Sequence, residues 1–258
     1  VPCDVVVLAL IGERGRELRH FTESVLGPEG MQRSIVVTAT SDQSPLVKRR
    51  AAWSAMAVAE CFRDMGRHVL FLCDSVTRFA EAHREIALTA GEAPSLRAYP
   101  PSTASLIAEM AERAGPGPEG RGDITAVFTV LVAGSDMEEP VADALRGVLD
   151  GHIILDREIA ERGRFPAVDI RRSVSRSLPD AATVAENQML REVRQLIAAY
   201  EDVRPLLQSG LYVAGTDLLA DRAVALWPKL DAFFAMAGQI SASESFATLS
   251  DILAVEVE

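Results

Sequence analysis

Val5-Val-Val-Leu-Ala-Leu-Ile-Gly-Glu-Arg-Gly-Arg-Glu17 is the stretch that decides how this chain folds. An apolar run, Val5–Ile11, empties into Gly-Glu-Arg and then into residues of helical character. A buried strand fixes the Cα position at its end. The glycine permits a tight turn, and Glu13 then projects from the carboxyl edge of the sheet. Open α/β sheets bind ligands at that edge. A carboxylate placed there is set to orient a water molecule against a terminal phosphate. A second run, His68-Val-Leu-Phe-Leu-Cys-Asp74, ends in one acid. An acid that closes a buried strand is the arrangement that brings a carboxylate near Mg²⁺ in phosphoryl transfer.

No Gly-x-x-x-x-Gly-Lys-Ser/Thr occurs in the 258 residues. That loop cradles nucleotide phosphates. In proteins of this design it lies one strand and one helix before the strand that ends at Glu13. The sequence is therefore expected to be a fragment of a longer chain, without the phosphate-binding loop.

Working outward, apolar runs alternate with helical stretches. Strands are predicted at 5–11, 34–39, 69–73, 124–132 and 151–155. Helices are predicted at 13–26, 45–65, 78–90, 102–114 and 142–149, with a glycine- and proline-rich loop at 115–122. Pro45 suits the first turn of its helix and Gly66 its stop. The near-continuous apolar runs are those of strands buried on both faces of a parallel sheet, and strand–helix alternation argues an α/β fold. After Pro179 no strand is expected. Leu190, Val193, Leu196, Ile197 and Tyr200, then Leu218, Leu219, Ala223, Leu226, Trp227, Leu230 and Phe234, recur at helical spacing. Pro228 is expected to kink or break the second of these helices. The domains expected are 1–179, an α/β core, and 180–258, a small all-helical domain.

Composition narrows the function classes. The formal net charge is −11, from 37 acids and 26 bases. A nucleic-acid binder more often shows a basic stripe, and none is visible. No apolar run approaches the ~20 residues that cross a bilayer. Three cysteines, Cys3, Cys61 and Cys73, are scattered and odd in number; two of them sit inside apolar segments, which reads as free buried thiols in a reducing cytoplasm. The four histidines do not cluster as metal ligands.

Several stretches together carry a resemblance. They are Leu10-Ile-Gly-Glu-Arg-Gly-Arg-Glu17, Thr40-Ser-Asp-Gln43, Leu72-Cys-Asp-Ser-Val-Thr-Arg-Phe-Ala80, Ala98-Tyr-Pro-Pro-Ser102, Gly151-His-Ile-Ile-Leu155, Phe165-Pro-Ala-Val-Asp169 and Ser173-Val-Ser-Arg176. In this order and spacing they resemble the ATPases of bacterial type III protein export, relatives of the catalytic subunit of rotary ATP synthases. Ser-Asp-Gln and Tyr-Pro-Pro-Ser look more like the export ATPases than the synthase subunits, and the flagellar branch is favoured over the injectisome branch. The resemblance implies a RecA-like, mostly parallel sheet flanked by helices, followed by a small all-helical C-terminal domain. It implies hydrolysis of Mg-ATP by a subunit of a hexameric ring, with ATP/ADP and Mg²⁺ as cofactors.

The site residues follow from the same match, each weighed against a plainer role. Glu13 becomes the general base or water-orienting group, rather than an acid that merely suits a helix start. Arg14 becomes a phosphate contact, otherwise a surface charge. Asp74 holds Mg²⁺ through water. Arg78 faces the γ-phosphate, or else forms a helix-surface ion pair with Glu81. Tyr99 borders the phosphate site, or packs beside Pro100-Pro101. Phe165 stacks on adenine, or belongs to the core. Arg176 resembles an arginine finger that reaches a neighbouring subunit's nucleotide, with Arg171 and Arg172 close enough to be confused with it. Expected partners are further copies of the chain, a stator-like regulator, a central stalk-like protein, the export gate and chaperone–substrate complexes. The expected location is the cytoplasm, peripheral to the inner-membrane export apparatus, with no nucleic acid bound. The alternatives are a non-catalytic scaffold fragment, an injectisome ATPase, or another ring motor such as a rotary synthase subunit or an RNA translocase.

Overall fold

The computed structural model describes residues 2–236, Gly238 and 240–255. It divides into two compact units, Val1–Leu149 and Asp150–Glu258. The sequence places 150–179 with the first unit; the structure groups this segment with the helices that follow.

The first unit is built on five strands: β1 (Val5–Ile11), β2 (Ser34–Ala39), β3 (Val69–Asp74), β4 (Gly115–Pro116) and β5 (Asp123–Phe128). Their order is β2-β1-β3-β5-β4. β2, β1, β3 and β5 run parallel, and the two-residue β4 closes the edge antiparallel to β5. The central strand β1 is buried from Val7 to Ile11. Its partners set the register that matters for the site: Leu10 lies beside Thr38 of β2 and Asp74 of β3.

Six helices belong to this unit. They are α1 (Gly15–His20), α2 (Gly27–Gln32), α3 (Pro45–Asp64), α4 (Val76–Thr89), α5 (Ser102–Glu112) and α6 (Pro140–Val148). A π-helical turn, Phe21–Leu26, joins α1 to α2. The expected helix over 13–26 therefore starts later and runs on past Gly27-Pro28. Pro28 sits in the first turn of α2, where its missing N–H costs no hydrogen bond. In α3, Ser44 caps the start and accepts from Val47 N–H, and Pro45 follows it. Ala51, Ala52, Ala55, Met56 and Ala59 face inward, so small residues let α3 lie close to the sheet. Phe71 and Phe79 are fully buried among them. Each such side chain contributes about 1.5–3 kcal/mol of burial free energy.

β5 is shorter than predicted and ends at Phe128. Past that point the backbone turns its hydrogen bonds to the start of α4. Val76 N–H donates to Thr129 O at 3.1 Å, and Leu131 N–H to the Thr77 hydroxyl at 2.8 Å.

The second unit opens with an antiparallel pair, β6 (Gly151–Leu155) and β7 (Val168–Ser175), joined through α7 (Arg157–Glu161). The sequence leads one to expect β6 as a further strand of a parallel sheet. It pairs instead with β7, a segment whose composition suggests a connection, and Ile170 of β7 packs on the helical core. That core is made by α8 (Val184–Ser209), α9 (Leu218–Phe234) and α10 (Ala242–Leu253). Beyond residue 180 the described residues form helices and connections only. Thr183 and Glu186 form a capping box at the start of α8, and Gly210 ends it at φ 70°. Pro228 does not break α9. Ala223, Leu226 and Leu230 bury its inner face and hold the helix through the proline. Leu230 is fully buried, whereas Trp227 and Phe234 are half-buried, and Trp227 stacks on Tyr200 at 3.9 Å between ring centres.

All three cysteines are free, but only Cys73 is buried; Cys61 is exposed. Burial, with the charge of Asp74 adding to it, pushes the Cys73 thiol up to about 12, so it is inert.

Candidate functional site

The carboxyl ends of β1, β2, β3 and β5 open into one cleft of about 700 Å³, lined by Glu13, Asp74, Arg78, Arg14, Lys48 and Ser41 among others. Two backbone hydrogen bonds place Glu13. Gly12 takes φ +80° and donates to Ala39 O at 2.7 Å, while Glu13 O accepts from Ser41 N–H at 2.9 Å. The turn is thus stitched to the end of β2 on both sides of Glu13.

Gly12 is required twice over. A Cβ at this position would lie 2.9 Å from both Cβ and Cγ of Arg78. The positive φ disfavours any L side chain as well. Gly12→Ala should destabilise the protein by about 1–3 kcal/mol. Urea unfolding should show a lower midpoint at unchanged slope; a midpoint equal to wild type would contradict this close packing.

Asp74 ends β3, one residue before Ser75, which caps α4 and accepts from Arg78 N–H at 3.4 Å. The Asp74–Ser75 peptide is cis. Asp74 Oδ1 accepts a 2.6 Å hydrogen bond from the Thr129 hydroxyl. Burial raises the Glu13 carboxyl above the usual carboxylate range. The nearby charges of Asp74 and Glu17 add to this, and Arg78 opposes it. Glu13 and Asp74 therefore sense one another across the cleft.

The two cleft arginines are held by acids three residues on. Arg78 Nη1 lies 2.9 Å from Glu81 Oε2, and Arg14 Nη1 lies 3.4 Å from Glu17 Oε1. The Arg78–Glu81 pair is the plainer role weighed for Arg78. The pair also raises the Arg78 guanidinium pKa, which keeps its charge fixed. Lys48 reaches across from α3 to donate to Ser41 O at 2.9 Å. Tyr99 does not line the cleft. It is 6% exposed, under the Arg84 guanidinium at 4.9 Å, and burial raises its hydroxyl pKa.

Phe165 and Arg176 belong to the other compact unit. Phe165 is 62% exposed, next to a cis bond to Pro166, so it is a surface aromatic and not a core residue. Arg176 follows β7 directly, and its N–H donates to Asp150 O at 2.6 Å. Nearby, Arg171 pairs with Glu201, and Arg172 lies 3.8 Å from Asp156 and 3.9 Å from Asp169.

Among the described residues no group of three or more His, Cys, Asp or Glu could hold a metal by itself. The donor set fits Mg²⁺ all the same. Mg²⁺ keeps several waters and is held by one or two carboxylates together with substrate phosphates. Asp74 supplies one such carboxylate at the mouth of the cleft, and its Oδ2 has no protein hydrogen-bond partner among the described residues. Five carboxylates, Glu13, Glu17, Asp74, Glu81 and Glu85, against Arg14, Lys48 and Arg78, would also repel a bare polyphosphate.

Sequence reasoning missed Thr129, Ser41 and Lys48. Thr129 lies inside a stretch predicted as strand for too long, and Lys48 carries only the weak signal of a basic residue near a helix start.

A mostly parallel sheet with two strand-end carboxylates facing one cleft at its carboxyl edge defines a RecA-like, nucleotide-binding α/β core. The chain belongs to the ATP synthase alpha/beta family, whose nucleotide-binding domain profile matches residues 2–175. The profile of the T3SS EscN ATPase C-terminal domain matches residues 182–250. The chain is 48% identical to a flagellum-specific ATP synthase of Caulobacter vibrioides, over 98% of this chain and 59% of that protein. It is 47% identical to a type 3 secretion system ATPase of Xanthomonas euvesicatoria, over 86% of this chain and 50% of that protein. The assembled ATPase EscN of the enteropathogenic E. coli type III secretion system superposes with a TM-score of 0.92 at 38% identity, over 98% of this chain and 61% of that one. EscN in complex with its central stalk EscO superposes at 0.86 and 39%, over 98% and 60%. The chain thus spans little more than half the length of the relatives it matches.

Proposed function

We propose that this chain forms the hydrolytic part of a Mg-ATPase that energises bacterial protein export, of the flagellar type. One observation carries the reading: Glu13 and Asp74, at the carboxyl ends of adjacent parallel strands, open into the same cleft. In this reading Glu13 holds and deprotonates the attacking water. Arg14 and Arg78 leave Glu17 and Glu81 to meet phosphate oxygens, which carry more negative charge than a single carboxylate and also match the guanidinium fork. Asp74 holds Mg²⁺ through water. Mg²⁺ held there would supply charge neutralisation at the phosphate oxygens. Phe165 offers a flat apolar face to adenine, which any aromatic ring serves, and Tyr99 packs under Arg84 outside the lining of the cleft.

The full-length protein is proposed to act as a hexameric ring, in which Arg176 completes a neighbour's site. EscN with its central stalk supports a stalk-like partner. The stator-like regulator, the export gate and chaperone–substrate complexes are proposed on the flagellar and secretion relatives. No helix among the described residues is long and apolar enough to cross a membrane, and the proposed place is the cytoplasmic face of the export apparatus.

The test compares two proteins. The 258-residue polypeptide, whose sequence has no phosphate-cradling loop, should bind Mg-ATP weakly and turn over negligibly. The full-length protein should bind Mg-ATP firmly and hydrolyse it. Calorimetry that gives micromolar Mg-ATP affinity for the 258-residue polypeptide would contradict the expectation. A full-length protein without ATPase activity would favour the scaffold reading.

A further inference from the structure

Thr129 is the first residue past β5, and three hydrogen bonds bracket the turn after β3 around it. Its N–H donates to Cys73 O at 3.0 Å. Its carbonyl accepts from Val76 N–H at 3.1 Å. Its hydroxyl donates to Asp74 Oδ1 at 2.6 Å. The hydroxyl also lies 3.3 Å from Cys73 O, a longer contact to a neutral acceptor. The short bond to the carboxylate is the charge-assisted and stronger one.

We propose that Thr129 is a positioning residue that aims the Asp74 carboxylate at a divalent cation. The inference rests on the reading of Asp74 given above. Asp74 ends its strand in the lining of the cleft, and its one side-chain hydrogen bond among the described residues is the one from Thr129. Two backbone bonds pin Thr129 on either side, and a β-branched side chain has little χ1 freedom. The hydroxyl is therefore a fixed point. It ties down Oδ1, leaves Oδ2 as the oxygen for a metal-bound water, and fixes the plane of the carboxylate. Residues that orient a metal-holding carboxylate typically change metal affinity by about 10–100-fold.

Valine has the shape of threonine and leaves both backbone bonds in place, so Thr129→Val removes the donor alone. The experiment titrates Mn²⁺ into the full-length protein with ADP bound and follows free Mn²⁺ by electron paramagnetic resonance. ADP affinity is measured in EDTA as the metal-free reference. Thr129→Val should weaken Mn²⁺ binding about tenfold or more while ADP affinity in EDTA stays at the wild-type value. Thr129→Ser, which keeps the hydroxyl, should recover most of the loss. Asp74→Asn is the reference for losing the carboxylate. If Asp74→Asn weakens Mn²⁺ and Thr129→Val does not, the role of Thr129 is overturned and the reading of Asp74 stands. If Asp74→Asn leaves Mn²⁺ binding unchanged, the reading of Asp74 fails and Thr129 falls with it. Should Thr129→Val fail to fold, Thr129→Ala and Thr129→Ser decide: equal Mn²⁺ affinity in the two overturns the proposal.

Discussion

Glu13→Gln in the full-length protein should abolish hydrolysis and leave nucleotide binding nearly intact. Glutamine keeps the shape of the side chain and its place after Gly12, but it cannot take a proton from water. General-base groups contribute about 10²–10⁴-fold in rate, so turnover should fall at least that far while nucleotide affinity holds. The backbone bonds that place residue 13, from Gly12 N–H to Ala39 O and from Ser41 N–H to Glu13 O, do not involve the side chain. The fold should survive, and circular dichroism should match wild type. The pH profile offers a second check. Burial, Asp74 and Glu17 raise the Glu13 carboxyl. A base works when deprotonated, so wild-type activity should be lost, as pH falls, at a value above the ordinary carboxylate range. Glu17→Gln removes one of the raising charges and should move that acid limb to lower pH. Wild-type-like turnover in Glu13→Gln would sink the assignment.

Arg176→Ala should remove most of the turnover that appears on oligomerisation, with folding and ATP affinity of the isolated chain almost unchanged. Arginine fingers are worth about 10³–10⁵ in rate where they have been measured. Arg176 stands just past β7, and its backbone N–H is tied to Asp150 O. The backbone anchor fixes where the side chain starts and does not depend on its identity. Arg171 and Arg172 serve as internal controls. Their guanidiniums are engaged by Glu201 and by Asp156 and Asp169, so alanine at either should lower stability more than it lowers the oligomer-dependent rate. Full activity of Arg176→Ala at saturating protein concentration would rule out the finger role.

The parallel sheet was legible because its signals were local. Val5–Ile11 and Val69–Asp74 are continuous apolar runs, and each is closed by a residue that stops a strand. Glu13 and Asp74 were legible for the same reason: a single acid at the end of such a run stands at the carboxyl edge of the sheet, where ligands bind. The second unit's hairpin was not. Val168, Ile170 and Val174 alternate with polar residues, the period-two mark of a half-exposed strand, but Arg171 and Arg172 in between give the segment the look of a connection. Thr129 was hidden because its role is set by pairing across the sheet: β5 beside β3 brings it to Asp74, and nothing in the spacing of residues 74 and 129 announces that. Pro228 misled in the other direction. Its local penalty is real, and the burial of Ala223, Leu226 and Leu230 against α8 and α10 outweighs it. Tyr99 is drawn towards the phosphate site by its place in Tyr-Pro-Pro-Ser, yet the ring is buried beneath Arg84.

The central claim is a shared active site, with Glu13 and Asp74 given by one subunit and Arg176 by the next. Mixing Glu13→Gln subunits with Arg176→Ala subunits tests it directly. Each variant alone should be inactive. In mixed rings, an Arg176→Ala subunit keeps its Glu13 and meets an intact Arg176 on a Glu13→Gln neighbour. ATPase activity should therefore rise on mixing, be greatest at intermediate ratios, and vanish when either variant is in large excess. Mixed rings that form, as shown by size, yet stay as inactive as either parent would contradict the account.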